Sequence, residues 1–375
     1  MQYGMKRLAT TVGAMLLAGS FSTLAFADDN TLDNSMSQSD NTITVETENK
    51  VIGDTEVEEA VKSAAQRENG WYPKLRIGGS AALNYNKDVD GVTDGTALTF
   101  GLYFKGAIDG VYNNFEWQNK LDIEHQQTKT PNIDSFIKTA DKLDFQTLGL
   151  FRIPKYEWLG PFVRFRLQSS IFPGHYISDK DTEVRYYKAG TNIDEKDDTK
   201  LARDSKRLNA QEAVKLSNAF EPLLLSESAG LFLNPYTTEM LTVTFKAGIA
   251  GQHLIAQDGY VSFDNDDSDA YYDVIELIDT NSVGVEGELE LSGVFVNYVN
   301  WSLAGSLYYP FAVDEDHGLD GADLIHATIE GKISVKLASW ASLDYSLTVK
   351  RQPFVTTNWQ INNTILFNIG FDVFK

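Results

Sequence analysis

The stretch WQINNTILFNIGFDVFK, residues 359–375, closes the chain and alternates apolar with polar side chains. Apolar residues occupy every second position from Trp359 to Val373, with an interruption at Asn363. This alternation predicts a β-strand with one apolar and one polar face. The stretch is about three times as long as an average soluble strand. Its length therefore favours a strand that crosses a membrane.

From Trp71 onward the same alternation recurs along the chain. The twelve predicted strands are residues 71–86, 95–108, 115–127, 141–153, 160–172, 221–234, 240–256, 279–295, 301–312, 324–337, 342–351 and 359–374. Each is long enough to cross the apolar part of a bilayer, which takes about 9–11 tilted residues. The sequence therefore predicts an all-β fold, in which residues 71–375 form a twelve-stranded antiparallel transmembrane β-barrel. The last strand is expected to pair with the first, because an open edge leaves unpaired backbone groups in hydrocarbon.

The predicted connections alternate in length, which supports short periplasmic turns and long extracellular loops. The short ones, of six residues or fewer, are 109–114, 154–159, 235–239, 296–300 and 338–341. The long ones, of seven or more, are 87–94, 128–140, 173–220, 257–278, 313–323 and 352–358. A soluble β-sandwich, the alternative, explains only the alternation. Aromatic residues beside the short connections suggest an interfacial girdle: Trp71, Tyr72, Trp158, Tyr236, Tyr298, Trp301 and Trp340.

The N-terminus has the features of a secretory signal peptide. Lys6 and Arg7 precede an apolar stretch, residues 8–24, and the sequence AFA at residues 25–27 is a small-x-small cleavage site. Residues 1–27 are therefore predicted to be removed on export, and a single membrane anchor is the alternative.

Residues 28–70 are acidic and polar, and we predict that they form a periplasmic tail. Thr55 and Glu58 form a capping box that predicts a short helix, either a marginal tail helix or a plug. The whole chain has a formal net charge of −21, which argues against nucleic acid or an anionic membrane surface as a partner. It contains no cysteine, which excludes disulfides and thiol chemistry.

The alternation assigns ten basic and nine acidic side chains, together with one histidine, to the lumen of the barrel. The predicted pore-lining residues are Arg76, Lys105, Glu116, Lys120, Asp122, Glu124, Asp144, Arg152, Arg164, Arg166, Lys246, Glu286, Glu288, Glu290, His326, Glu330, Lys332, Lys336, Asp344 and Lys350. Like charges share a strand, so acidic and basic walls would face each other. One interpretation is a narrow channel for small polar, zwitterionic or charged solutes. The other is a salt-bridged filling that conducts little, since twelve strands fall between filled and open barrels.

The connection 173–220 is long enough to modify a pore, either as an inward constriction or as an external loop. It contains a second capping box, Asn209 with Glu212. Two acidic clusters in other loops offer oxygen ligands for calcium: Asp264, Asp266, Asp267, Asp269 and Asp273, and Asp314, Glu315, Asp316, Asp320 and Asp323. Neither has the full calcium-loop spacing. We therefore predict solvated loop charge, no metal site and no cofactor.

An enzyme is the alternative of a different class. A barrel that hydrolyses lipids needs a serine–histidine pair on the lipid-facing rim, and His125 and His253 are the outward histidines near the loop end. No G-x-S-x-G motif occurs, so we predict that the chain is not an enzyme. A structural or adhesive barrel, whose acidic loops bind a partner, is a third alternative.

Three segments resemble a family of exported bacterial outer-membrane barrel proteins of unknown function and porin-like architecture. They are KTADKLDFQTLGLFRIPKYEWLGPFVRFRLQSSIFPGHY (138–176), SNAFEPLLLSESAGLFLNPYTTEMLTVTFKAGIAGQHL (217–254) and LFNIGFDVF (366–374). The resemblance implies an outer-membrane location and supplies no catalytic residue. Membrane lipid, the barrel-assembly machinery and a small polar solute are then the expected partners. The chain ends on Lys375 rather than an aromatic residue, so recognition by that machinery is expected to be weaker or to rely on Phe371.

Overall fold

The computed structural model describes a defined part of the chain. The described residues are 68–86, 95–188, 202–238, 240–257, 259–262, 271–295, 298–314, 319, 321–354 and 356–374. The predicted signal peptide and nearly all of the predicted tail, including its helix, lie outside them. No helix in the described part has the length and apolarity to cross a membrane.

Twelve strands form a closed antiparallel barrel, which confirms the predicted fold. They are β1 (Gly70–Asn86), β2 (Gly95–Tyr112), β3 (Phe115–Lys129), β4 (Ile137–Phe151), β5 (Leu159–Ser169), β10 (Leu223–Thr237), β11 (Thr242–Ile255), β14 (Thr280–Phe295), β15 (Val299–Val313), β16 (His326–Ala338), β17 (Ala341–Gln352) and β18 (Thr356–Phe374). Each overlaps one predicted stretch. Every barrel strand pairs with the barrel strands before and after it in sequence, and β18 pairs with β1.

Side chains alternate between the two sides of the barrel wall. Along β1, Ile77 and Leu83 are exposed on the outside, whereas Ser80 between them is buried on the inside. Aromatic side chains near the short turns are exposed: Trp71, Trp158, Tyr236, Tyr298 and Trp340. An apolar outer surface edged by aromatic residues, with polar residues inside, fits a wall that faces lipid.

Two connections depart from the predicted difference in length between the two ends of the barrel. The predicted loop 352–358 is only residues 353–355, because Thr356 pairs with Gln352 and extends the ladder beyond the apolar pattern. The turn between β4 and β5, residues 152–158, is longer than predicted. The length asymmetry is therefore looser than the sequence suggested. The end with most of the long connections is called the long-loop end below, and the opposite end the short-turn end.

The two longest connections form small sheets at the long-loop end, which we call the cap. The cap strands are β6 (Gly174–Ile177), β7 (Thr182–Tyr187), β8 (Asp204–Leu208), β9 (Ala213–Ser217), β12 (Tyr260–Ser262) and β13 (Tyr271–Glu276). Their order is β12-β13-β7-β8 in one sheet and β6-β9 in the other. A buried apolar cluster joins both: Tyr176, Val184, Leu208, Val214, Leu216, Tyr272 and Val274. The connection 173–220, predicted as an inward constriction or an external loop, thus contributes strands β6 to β9 to these sheets.

The second predicted capping box forms its hydrogen bond without starting a helix. The Asn209 backbone N–H donates to Glu212 Oε2 at 3.2 Å, but the chain then continues as β9. Val214 and Leu216 alternate toward the buried cluster of the cap. Burial of these two side chains therefore favours a strand over the helix that a capping box usually begins.

Described residues of the acidic clusters have protein partners. Asp273 forms a buried ion pair with Arg185, which joins the two connections that build the cap. Asp314 accepts a hydrogen bond from the Asn281 side chain, and Asp323 lies 3.3 Å from Arg351. In the described part of the chain, no group of three or more His, Asp or Glu residues could hold a metal ion. The remaining members of the two clusters lie outside the described residues: Asp264, Asp266, Asp267, Asp269, Glu315, Asp316 and Asp320.

Candidate functional site: the barrel lumen

An ion-pair network lines one wall of the lumen. Arg164 Nη2 lies 2.7 Å from Glu286 Oε2, and Arg164 Nη1 lies 2.8 Å from Glu288 Oε2. Lys246 Nζ is 2.5 Å from Glu288 Oε1 and 3.9 Å from Glu290 Oε2. These five side chains are largely buried. Inward positions of β5, β11 and β14 supply these side chains, and Lys246 lies directly opposite Glu288 in the ladder between β11 and β14.

A second network continues around the wall through β3, β4 and β5. Arg166 forms a two-pronged ion pair with Asp144, and Lys142 Nζ lies 3.5 Å from Asp144 Oδ2 and 3.7 Å from Asp122 Oδ2. Sequence analysis missed Lys142. A signal was available, because Lys142 stands two residues before Asp144 and so shares its face.

Buried ion pairs of this kind hold the wall in one arrangement. Desolvation of each charge is costly, so the network is stable only while opposite charges remain paired. The arginine–carboxylate contacts are bidentate or shared between two carboxylates, which fixes their geometry. This wall therefore corresponds to the salt-bridged filling that the sequence left open as one of two interpretations.

A cavity of about 400 Å³ lies inside the barrel beside this filling. Four basic and four acidic side chains line it: Arg76, Lys105, Lys142, Lys332, Glu124, Glu290, Glu330 and Asp344. Lys332 Nζ is 3.4 Å from Asp344 Oδ2, and Ser334 Oγ donates to Asp344 Oδ1 at 2.5 Å. The cavity thus has matched opposite charges, and its lining comes mainly from β1–β4 and β14–β18. The lumen is filled on one side and hollow on the other.

An apolar cluster, the mouth plug, lies at the long-loop end. It comprises Leu224, Leu254 and Phe354, with Val313 and Leu324 packed against them. Phe354 lies in the turn between β17 and β18, and Leu224 lies on β10. In the order of strands around the barrel, β10 is nearly opposite that turn. His326 extends this cluster, because its ring centroid lies 4.6 Å from that of Phe354 and 5.5 Å from that of Tyr308. Phe354 therefore reaches across the mouth toward the far wall.

A second apolar cluster lies inside the short-turn end. Its members are Leu148, Leu150, Phe162 and Phe232, all buried on the inner face. Arg152 lies over the Phe232 ring at 5.5 Å and pairs with Glu116 at 3.1 Å. Sequence analysis missed both apolar clusters, because it assigned apolar positions to lipid. The apolar runs LGLF (148–151), LLL (223–225) and LFL (231–233) were available signals, since each leaves apolar residues on both faces.

Other residues predicted to line the pore occupy different places on the inner face. Lys120 and Lys350 follow the inward alternation of β3 and β17, and Lys350 is buried. Lys336 is exposed near the short-turn end. His326 belongs beside the mouth plug rather than within the charged cavity.

The two outward histidines have carboxylate and amide partners among the described residues. His253 Nε2 lies 2.8 Å from Glu227 Oε1, and its Nδ1 lies 2.7 Å from Asn281 Oδ1. His125 Nε2 is 3.1 Å from Gln127, and its Nδ1 is 3.8 Å from Asp141. Within the described residues, neither histidine hydrogen-bonds a serine.

No family model and no curated protein matches the chain. Among solved structures it is similar to an outer membrane channel from Pseudomonas putida F1, at 8% identity and a TM-score of 0.36, over 83% of this chain and 97% of that one. The translocator domain of autotransporter NalP from Neisseria meningitidis matches at 8% identity and a TM-score of 0.35, covering 84% and 92%. The P. putida toluene transporter TodX matches at 9% identity and a TM-score of 0.31, also covering 84% and 92%.

Scores this low do not separate one class of barrel from another, so functional conclusions rest on this chain's own residues. The chain has a closed wall, an apolar outer surface, an aromatic rim and a charged lumen. The chain is a twelve-stranded antiparallel β-barrel with the architecture of outer-membrane barrels.

Proposed function

We propose that this chain is an outer-membrane channel of a Gram-negative-type bacterium that passes small polar, preferably zwitterionic, solutes. The observation that carries the proposal is the lumen cavity with its four basic and four acidic side chains. A solute that bears both charges is attracted by lining residues of both signs, whereas a solute of one charge is repelled by the lining residues of its own sign.

The placement of the chain ends supports an orientation with the N-terminal tail in the periplasm. β1 begins and β18 ends at the short-turn end, where Leu75 pairs with Phe374. In outer-membrane barrels this end faces the periplasm, and the longer loops face outward. The cap then covers the external side.

The direct test is flux of glycine, a zwitterion, into vesicles that contain the purified full chain. We expect glycine to enter faster than acetate or ethylammonium of similar size, because only the zwitterion satisfies both charged linings. Empty vesicles and vesicles with heat-unfolded protein serve as controls. Equal rates for all three solutes would contradict the proposal. So would the absence of flux above the controls even in Phe354→Ala, which removes the central ring of the mouth plug.

Replacing Lys105 with glutamate should make the channel more selective for cations. Lys105 lines the cavity, and its Nζ lies over the Tyr103 ring at 5.5 Å. The substitution changes the lining from balanced to acidic, which raises the local concentration of cations. The reversal potential in a potassium chloride gradient measures this shift. Lys215→Glu makes the same charge change on the exposed face of the cap and should leave the reversal potential unchanged.

A further inference from the structure

The ladder that closes the barrel is shorter than its neighbours. β1 and β18 share seven residue pairs, the uppermost of which joins Ala81 to Phe367, whereas β1 and β2 share seventeen. Toward the long-loop end, residues 82–86 pair with β2, and residue 356 and residues 360–366 pair with β17. The described residues of these two segments do not pair with each other. We call the junction of β1 and β18 the seam, and its part toward the long-loop end the upper half. If the register continues, residues 82–86 face residues 362–366 there as two unpaired strand edges.

These edges lie at the level of the apolar outer surface. On β18, outward apolar side chains continue above Phe367 and are exposed, at 57% for Ile365, 68% for Ile361 and 55% for Trp359. On β1, outward Leu83 is 72% exposed. Unpaired backbone groups at membrane depth are costly unless they line a cavity or a water-filled space. We therefore expect a cavity or a water-filled space on the lumen side of the unpaired edges.

The lower half of the seam is held shut by a tyrosine. Tyr103, an inward residue of β2, reaches across β1 and donates its hydroxyl to the Ile369 carbonyl at 3.3 Å. Arg76 Nε in turn donates to this hydroxyl at 3.4 Å. The tyrosine lies against Gly78 and Gly370, where any Cβ would come within 2.3 Å of its hydroxyl oxygen. Only glycine at this pair allows the ring to cover the seam.

The lumen cavity reaches the unpaired half of the seam. Its lining includes Ala82 of β1 and both Ile365 and Leu366 of β18, the residues next above the last closing pair. Ala82 and Leu366 are inward positions of the two edges that face each other at this point. Asn363, which interrupts the apolar outward positions between Trp359 and Val373, is exposed on the same unpaired segment. The gap in the alternation of the sequence thus coincides with the gap in the wall.

We propose that this unpaired seam is a lateral portal through which a single-chain amphiphile with a zwitterionic headgroup passes from the membrane into the lumen cavity. The balanced charges of the cavity suit the headgroup, and Ile365 and Leu366 offer apolar contact to the tail on both sides of the wall. A cavity of about 400 Å³ is of the size that holds one small ligand. This goes beyond the proposed function, because the ligand arrives sideways from lipid rather than from water.

Because the chain has no cysteine, the portal can be locked by an introduced pair. Continuing the register of the seam places Ala82 opposite Leu366, so Ala82→Cys with Leu366→Cys joins the edges by oxidation or with a short bismaleimide. Ala81→Cys with Phe367→Cys is the matched control, one pair lower, where the strands are already paired. The probe is a phosphocholine with one acyl chain and a fluorophore at the tail end. Its binding is measured on the full chain in nanodiscs.

We expect saturable binding that weakens by about tenfold or more when the upper pair is cross-linked and returns on reduction of the disulfide. Cross-linking the control pair should leave binding unchanged. Absence of saturable binding by the reduced proteins, or binding that survives the upper cross-link, would overturn the portal. Glycine flux through the same cross-linked variants tests the channel separately, because a locked seam does not obstruct passage along the barrel axis.

Discussion

Replacing Phe354 with alanine is expected to raise the single-channel conductance of the reconstituted barrel by roughly threefold or more, because hydrophobic constrictions exclude water and ions. Phe354 is buried in the mouth plug with Leu224 and Leu254. Its turn projects from β17 and β18, nearly opposite the wall that it contacts. Removing the ring leaves that contact unfilled and admits water to the mouth. Planar bilayer recordings measure the change.

The matched control is Phe311→Ala, which removes an equally large ring from the lipid-facing side of β15. That variant should conduct like the unaltered chain. Migration of the folded barrel on an unheated gel checks that both variants are assembled. If Phe354→Ala and Phe311→Ala conduct alike, the mouth plug does not limit passage.

Replacing Arg164 with methionine is expected to lower the free energy of unfolding by about 3–5 kcal/mol, the usual cost of breaking a buried ion pair from one side. Arg164 contacts both Glu286 and Glu288, and its loss leaves two carboxylates close together with less compensation. Lys246 still pairs with Glu288. Glu286 is therefore the carboxylate that is affected more by the loss of the Arg164 charge. Urea unfolding in lipid vesicles, followed by tryptophan fluorescence, measures the difference.

Arg203→Met is the control for this prediction. Arg203 lies 3.6 Å from Glu276 in the cap, and its side chain is mostly exposed. Loss of an exposed pair changes stability by about 0–1 kcal/mol. Adding Glu286→Gln to Arg164→Met should recover part of the lost stability, because it removes the stranded charge. Equal losses for the two arginine variants would show that the lumen network does not stabilise the barrel.

The alternation of side chains was sufficient to predict the twelve strands and their order. Period two marks a strand with two different environments, and a transmembrane wall imposes that pattern along its whole length. Leu148 and Phe162 escaped the same reasoning, because periodicity identifies two faces but does not exclude apolar residues from the inner one. Lys142 was not included among the predicted lumen residues, although its spacing of two residues from Asp144 places it on the same inward face.

The cap could not be predicted from local patterns. β7 and β13 pair in parallel although they come from different connections, and their pairing depends on contacts between residues far apart in sequence. Asn209 and Glu212 carried a helix signal that the burial of neighbouring apolar residues overrode. The cavity likewise depends on which side chains fill the lumen, a property of the assembled ring rather than of any single strand.

The central claim is that one face of each strand meets lipid and the other meets a water-filled or charged lumen. Single cysteines at Leu343, Asp344, Tyr345 and Ser346 of β17 test it most directly in the cysteine-free chain. Each is labelled with a small environment-sensitive fluorophore in vesicles that contain lipid-bound quenchers. We expect strong quenching at positions 343 and 345 and weak quenching at 344 and 346. Uniform quenching along the strand, or the opposite alternation, would contradict the account.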